Sequence, residues 1–297
     1  MKYLFILIPL VLFSCGSYKS VSLDFDEELN PPPGTTKISE NLFFDATEIN
    51  NFHWLEYTSW LKKVYGEQSE EYKNALPNQK VWSTLNENYS DFDNSYFTHP
   101  SYRAHPIVGI SYEQAIAYSK WRSDRVMEYI LIQEGVIAIN SSKNKDSIFT
   151  IEKYFKGQYL NHQPSQQVKI YPEYRLPSPE NFRKLSVFAD SINEINGKSC
   201  KGDNSSESIR LNCIEDKTKA LPFGKQPTLA TSIKCNKTVI HHLQGNVREM
   251  TDIQGNFYGL SFIDSCEEDS DKVVSDDNLI NAYTGFRNVC VYKKWRE

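Results

Sequence analysis

Six cysteines, at positions 15, 200, 213, 235, 266 and 290, are the residues of this 297-residue chain best suited to chemistry. A thiolate can attack as a nucleophile, ligate a soft metal or form a disulfide. Spacing separates these uses. Neither a Cys-x-x-Cys pair nor the His-Glu-x-x-His pattern of zinc peptidases occurs, and serine-hydrolase, P-loop and dinucleotide signatures are absent too. Cys266 opens the acidic run Cys266-Glu267-Glu268-Asp269-Ser270-Asp271, where neighbouring carboxylates raise a thiol's pKa and disfavour thiolate. The run itself reads as a solvated loop, or as a face for a basic partner or a cation. His241-His242 near Cys235 suggests zinc, yet adjacent side chains on a strand face opposite ways and rarely share one metal. His99 and His105 each precede proline, which favours extended backbone and a positional role.

Cys15 differs from the rest. Met1-Lys2 and the apolar run Tyr3 to Phe13 read as a secretory signal in residues 1–14, too short to span ~30 Å of hydrocarbon. The run ends in Leu12-Phe13-Ser14-Cys15-Gly16, which resembles a bacterial lipobox and implies lipidation of Cys15. Several acyl chains at ~0.8 kcal/mol per buried CH₂ would hold the chain on a membrane. Gly16 in place of an aspartate points to the outer membrane, facing periplasm or exterior. The other reading is a cleaved signal with an incidental cysteine. An exported chain meets an oxidising compartment. Proximity in sequence then suggests Cys200 with Cys213 and Cys266 with Cys290, leaving Cys235 over. The first bridge would contribute about 3 kcal/mol.

Hydrophobic content of 39% with 13% aromatics describes a globular chain. A net charge of −5 without a Lys/Arg stripe argues against nucleic-acid partners. Residues 15–40, polar and carrying Pro31-Pro32-Pro33-Gly34, read as a lipid-anchored tether reaching roughly 70 Å when extended.

A single domain over 41–297 must position the rest. Leu42-Phe43-Phe44 reads as a short strand. Asn50 or Asn51 caps a helix with Trp54, Tyr57, Leu61 and Val64 on one face, stopped by Gly66. Residues 67–100 show no clean period and read as loop. Ser111 and Gln114 form a capping box ahead of Ala115, Tyr118 and Trp121, with the helix continuing through Met127, Ile130 and Leu131. Ser178-Pro179 starts a third helix with the stripe Phe182, Leu185 and Phe188. Turns and short strands carry residues 239–291.

Four strings recur in a fixed order: His105-Pro106-Ile107-Val108-Gly109-Ile110-Ser111-Tyr112, Tyr174-Arg175-Leu176-Pro177, Gly245-Asn246-Val247-Arg248-Glu249 and Gly285-Phe286-Arg287. Their succession resembles the formylglycine-generating-enzyme, or sulfatase-modifying-factor, family over about Phe43 to Cys290. The resemblance implies an α+β, irregular, loop-rich fold related to C-type lectins. Tyr96-Phe97-Thr98-His99-Pro100 and Ala117 to Val126 resemble the family's lipoprotein branch, which includes gliding-motility and type IX secretion lipoproteins. Members of that branch carry an insertion where residues 126–172 stand here.

Active members oxidise a substrate cysteine at a metal held by two closely spaced thiolates, for which soft sulfur donors suit Cu(I). The matching interval, from Tyr258-Gly259-Leu260-Ser261 to Gly285, holds the single cysteine Cys266. The resemblance further implies a structural calcium bound through Gly245, Val247 and Glu249 with an upstream amide. His242 stands at the amide's place, and hard oxygen donors are what calcium requires. A tight Gly-Asn turn with Glu249 bonded to backbone is the alternative. Arg175 and Arg287 could clamp a ligand carboxylate or tie loops to carbonyls.

Anchor, tether and a family fold short of its thiolate pair give a first expectation: a non-catalytic envelope scaffold with protein partners, in assemblies such as gliding or type IX secretion machinery. The alternative is a metal-dependent oxidase of exported cysteine-containing substrates with a rearranged site. Carbohydrate or peptide binding on a lectin-like surface is a third reading.

Overall fold

The computed structural model describes residues 29–140, 145–200, 212–214, 227–228, 240–269 and 271–296, with α7 side chains described as far as Ile192. In chain order the elements are β1 (Thr35–Ser39), β2 (Leu42–Asp45), α1 (Asn51–Tyr65), α2 (Glu70–Lys73), α3 (Val81–Leu85), α4 (Phe92–Ser95), α5 (Tyr112–Gln133), α6 (Ile151–Phe155), β3 (Ile170–Arg175), α7 (Pro179–Cys200), β4 (Arg248–Met250), β5 (Asn256–Tyr258), β6 (Val273–Ser275), β7 (Thr284–Gly285) and β8 (Val289–Lys294). They make a mixed α+β fold with two small sheets. One is antiparallel in the order β1-β2-β8-β3; the other runs β6-β5-β4-β7, with β4 and β7 parallel.

The long helices begin where local chemistry says they must. Asn50 caps α1 by accepting from the His53 N–H, and Gly66 ends it. Ser111 and Gln114 close a reciprocal capping box on α5. At α7, Ser178 Oγ accepts from the Asn181 N–H, while Asn181 Oδ1 accepts from the Ser178 N–H. The apolar faces of α1 and α5 meet in one aromatic core, with Trp54 stacked 5.4 Å from Tyr118 and Phe286 edge-on to both. Phe182 and Leu185 of α7 pack on the opposite side of the first sheet, against Leu42, Phe44 and Val289.

Two expectations are corrected. Residues 67–100 are not loop throughout: α2, α3 and α4 lie there. Helices of four or five residues carry no readable period, and several of these residues are held instead by rings around the fully buried Trp82, whose centroid lies 4.5 Å from Tyr96 and 5.2 Å from Phe92. The segment assigned to the tether also ends too late, because β1 pairs with β2 across Thr35↔Asp45.

The insertion after Val126 is built on α5's extension. Met127 and Leu131 share a core with Phe149, Ile151, Tyr154, Tyr159 and Val168. It is pinned to the end of β8 by Phe155 stacked on Trp295 at 5.0 Å.

The four family strings converge on the main core. Gly109 donates to Asn281 O, and Ile107 donates to Ile49 O, while the Ile49 N–H donates to Phe286 O. Leu176, Met250 and Phe286 fall in one cluster. Gly285 sits where backbones nearly touch, since a Cβ there would lie 2.8 Å from Ile107 O and 3.0 Å from a Val247 methyl. Gly285→Ala should therefore cost about 2 kcal/mol or more, read as a lowered urea midpoint; an unchanged midpoint would show that the contact yields.

Candidate functional site

Strands β4 and β7 run in parallel with Glu249 beside Gly285, which places the third and fourth strings side by side. Arg287, fully buried, follows immediately. Its Nε and Nη2 each donate to a Glu249 oxygen at 2.6 Å, Nη2 also to His241 O at 2.7 Å, and Nη1 to Asp45 O at 3.2 Å. Burial opposes the guanidinium's charge; the attraction and hydrogen bonds of Glu249 outweigh it and leave the pKa raised. Arg287 thus ties loops together, the second of the two roles considered for it.

Glu48 is also fully buried, and its Oε1 accepts from Asn246 Nδ2 at 2.9 Å. Burial pushes the carboxyls of Glu48 and Glu249 up to about 7 each, against the pull of Arg287. One guanidinium faces two carboxyls, and Glu249 takes its bidentate bond. Glu48 is therefore the group that keeps a proton.

A second pair, buried Asp45 with half-buried Arg122, stands beside the first. Arg122 of α5 donates to Asp45 Oδ2 at 2.7 Å, and its guanidinium lies 4.1 Å from the Tyr174 ring centroid. The same Asp45 oxygen accepts from the Asn288 N–H, and Asn288 Nδ2 donates to Ser119 Oγ. Asp45, Glu48, Arg122 and Asn288 were not singled out from sequence. The bonding partners of Asp45, Glu48 and Asn288 stand more than 70 positions away, so no local spacing betrays them.

The turn Gly245-Asn246 has positive φ at both residues. Asn246 stitches it in place: Oδ1 accepts from the Thr228 N–H and Asn212 Nδ2, its N–H donates to Asn212 O, and its carbonyl accepts from Phe262. Calcium at Gly245, Val247 and Glu249 does not fit this geometry. Both Glu249 oxygens are committed to Arg287, whose positive charge would repel a second cation at the same carboxylate. Glu249 is bonded to a side chain rather than to backbone.

The interval from Tyr258 to Gly285 is closed in a similar way. Ser261 donates to Asp264 Oδ2 through both N–H and hydroxyl, at 2.7 and 2.6 Å. Arg248 pairs with Asp264 through Nε and Nη2 and reaches Asp276 at 3.2 Å. Cys266 is bonded to Cys213, with Cα atoms 5.2 Å apart. Ile214 adds backbone bonds to Asp264 and Cys266.

The expected cysteine pairs are therefore corrected. Cys213 joins Cys266 rather than Cys200, and Cys290 is a free thiol rather than the partner of Cys266. Cys290 sits in the middle of the first sheet opposite Phe43 and Tyr174, where burial pushes its pKa well up. Closeness in sequence misled, because the chain leaves and returns before Cys213 meets Cys266. Cys15, Cys235 and the side chain of Cys200 lie outside the described residues.

The histidines are positional. His99 caps a 3-10 turn over Pro100–Tyr102, and His53 Nδ1 accepts from the Asn50 N–H. The His241 N–H donates to Ala46 O, and burial, followed by His242 and Arg287, lowers its pKa. Among the described residues no group of three or more His, Cys, Asp or Glu side chains could hold a metal ion.

The fold, and strings that interlock around Arg287, define a class. This chain belongs to the family of the sulfatase-modifying factor enzyme 1-like domain, whose model matches residues 6–256. That match ends ahead of Cys266. No curated protein matches the chain. Among solved structures, the crystal structure of CarF is similar at 14% identity and a TM-score of 0.41, covering 84% of this chain and 86% of that one. The Treponema denticola variable protein 1 is similar at 13% identity and a TM-score of 0.38, covering 84% of each chain. Neither likeness carries a functional argument.

Glu48 has a folded value of about 7 against an ordinary 4.5. The folded chain therefore holds a proton that the unfolded chain releases between those pH values. Its contribution to stability is full below about 4.5 and is lost as pH rises through about 7. Glu48→Gln keeps the neutral shape at every pH. It should leave unfolding free energy unchanged at pH 4.5 and raise it by about 1–3 kcal/mol at pH 8. Urea melts at both pH values check this, and an equal difference at both contradicts it.

Proposed function

We propose that this chain is a lipid-anchored cell-envelope protein that uses a sulfatase-modifying-factor fold to hold protein partners, without catalysis. The observation that carries the reading is the Cys213–Cys266 disulfide. In the interval where active relatives place their thiolate pair, the single cysteine is consumed, so a Cu(I) site of that kind finds no sulfur donor there. The Arg248–Asp264 pair occupies the same loop with saturated partners.

The anchor half of the reading rests on sequence. Leu12-Phe13-Ser14-Cys15-Gly16 places Cys15 to receive lipid, and Gly16 favours the outer membrane. Among the described residues no helix is long and apolar enough to cross a membrane. The likeness of residues 96–100 and 117–126 to gliding-motility and type IX secretion lipoproteins suggests envelope assemblies of that type. The competing oxidase would first have to open a disulfide whose Cys213 is 1% exposed.

Cys15→Ser should move the protein from the membrane pellet to the soluble fraction; retention in the pellet contradicts the anchor. Amine-reactive crosslinking of the unsubstituted chain in its native envelope should yield defined protein adducts. Purified without reductant, the chain should retain far less than one copper per molecule after Cu(I) loading. Stoichiometric copper that disappears in Cys266→Ser, with oxidation of a cysteine peptide, would establish the oxidase instead.

A further inference from the structure

The chain enters the domain through a strap, residues 29–34, laid over the face of the first sheet opposite α7. Half-buried Leu29 packs on the cluster of Phe43, Ile170, Tyr174, Cys290 and Tyr292, which Val126 also joins. Pro32 is buried too, while Asn30, Pro31 and Pro33 stay exposed. Asn30, Pro31 and Pro32 each precede a proline, which favours extended or polyproline backbone. A polyproline II helix has three residues per turn, so Leu29 and Pro32 fall on one face and the others turn to solvent.

The strap is held by its carbonyls. Tyr292 OH donates to Asn30 O at 3.2 Å, and Tyr174 OH and Arg122 Nη2 donate to Pro33 O at 3.2 and 3.3 Å. The two accepting carbonyls, like the two apolar seats, are one polyproline turn apart. Pro31, Pro32 and Pro33 have no N–H, so this segment cannot extend the sheet as a strand. Beyond Pro33 the chain turns, with the Thr35 N–H bonded to Pro32 O, and enters β1. Aromatic walls that seat a preformed polyproline segment are a means by which one protein recognises another.

These walls are braced independently of the strap. Both backbone groups of Tyr292 bond to the Asn41 side chain, and its ring lies edge-on to Phe43 at 5.8 Å. The Tyr174 N–H is held by Ser123 Oγ at 2.8 Å, and its ring is capped at 4.1 Å by the Arg122 guanidinium, which Asp45 fixes in turn. The donors therefore keep their places when the strap lifts. A groove organised in advance spends little on ordering when a second segment of the same pattern binds.

We infer that this groove is a polyproline-binding site, occupied in cis by the chain's own Leu29–Pro33, and that it takes a proline-rich partner segment with leucine three residues ahead of a proline. The strap is then a built-in competitor. It lowers the partner's apparent affinity in proportion to the fraction of molecules whose groove is open. The inference rests on the scaffold reading for the existence of a partner and names that partner's chemistry.

The test uses the full chain and a blocked peptide copying Glu28 to Gly34, with a shuffled peptide of the same composition as control, followed by calorimetry. Leu29→Asp removes one seat at a half-buried position ahead of β1, so a cooperative melt should persist; Pro32→Ser removes the other independently. Each variant should bind the peptide saturably, about tenfold more tightly than the unsubstituted chain does, and neither should bind the shuffled one. Adding Tyr292→Phe to Leu29→Asp should weaken the peptide about fivefold. No saturable binding by either variant, equal binding of the shuffled peptide, the same affinity in the unsubstituted chain, or an unaffected Tyr292→Phe would overturn the proposal and leave the strap a fixed part of the fold. Carrying Leu29→Asp into the envelope crosslinking separates the two readings. Adducts without peptide binding sink the groove and leave the scaffold standing, whereas peptide binding with no adduct in either chain sinks the scaffold alone.

Discussion

Arg287 is the charge on which the two ends of the domain close. Its guanidinium leaves water entirely and finds Glu249, His241 O and Asp45 O waiting for it. Burying such an ion costs several kcal/mol, and only near-complete hydrogen bonding offsets that cost. Each neighbour in the string has one matching task. Gly285 lets Ile107 approach, Phe286 fills the ring cluster of Trp54 and Tyr118, and Asn288 bonds Asp45 and Ser119. Removing either partner of the Arg287–Glu249 pair would strand a buried charge, worth about 3–5 kcal/mol.

That closure also organises the charges at the centre of the domain. Two arginines, half-buried Arg122 and fully buried Arg287, are set against buried Asp45, Glu48 and Glu249. The excess carboxyl is Glu48, and holding a proton there is cheaper than burying a third negative charge. Perturbed carboxyls often mark catalysis. Here they sit in a packed network that commits both oxygens of Glu249 to Arg287.

Much of the fold was legible wherever the signal is local. Asn50, the Ser111–Gln114 box and Ser178-Pro179 each start a helix where their side chains dictate, and Phe182 with Leu185 face the core as their spacing requires. The short helices between 67 and 100 escaped, because rings contributed from Trp82, Tyr96 and Tyr102 stabilise that region rather than any repeat within it. Strand β1 was hidden behind a proline run, its partner β2 supplying the only reason for it to be extended. Pairing of cysteines was illegible for a topological reason: Cys213 and Cys266 are 53 positions apart, yet Ile214 and Ser265 form a bridge beside them. The site's chemistry was half legible. The missing second thiol could be read directly, but the fate of Cys266 could not.

That fate is the centre of the account. A bond from Cys266 to Cys213 withdraws the last sulfur from the loop between Ser261 and Gly285 and braces it against residues 212–214. Non-reducing peptide mapping of the mature protein, after alkylation in denaturant, addresses it directly. A fragment joining Cys213 to Cys266, with Cys290 alkylated, is the expected result. An alkylated Cys266 would mean a live thiol in that loop, and the proposal of a non-catalytic fold would lose the observation that carries it.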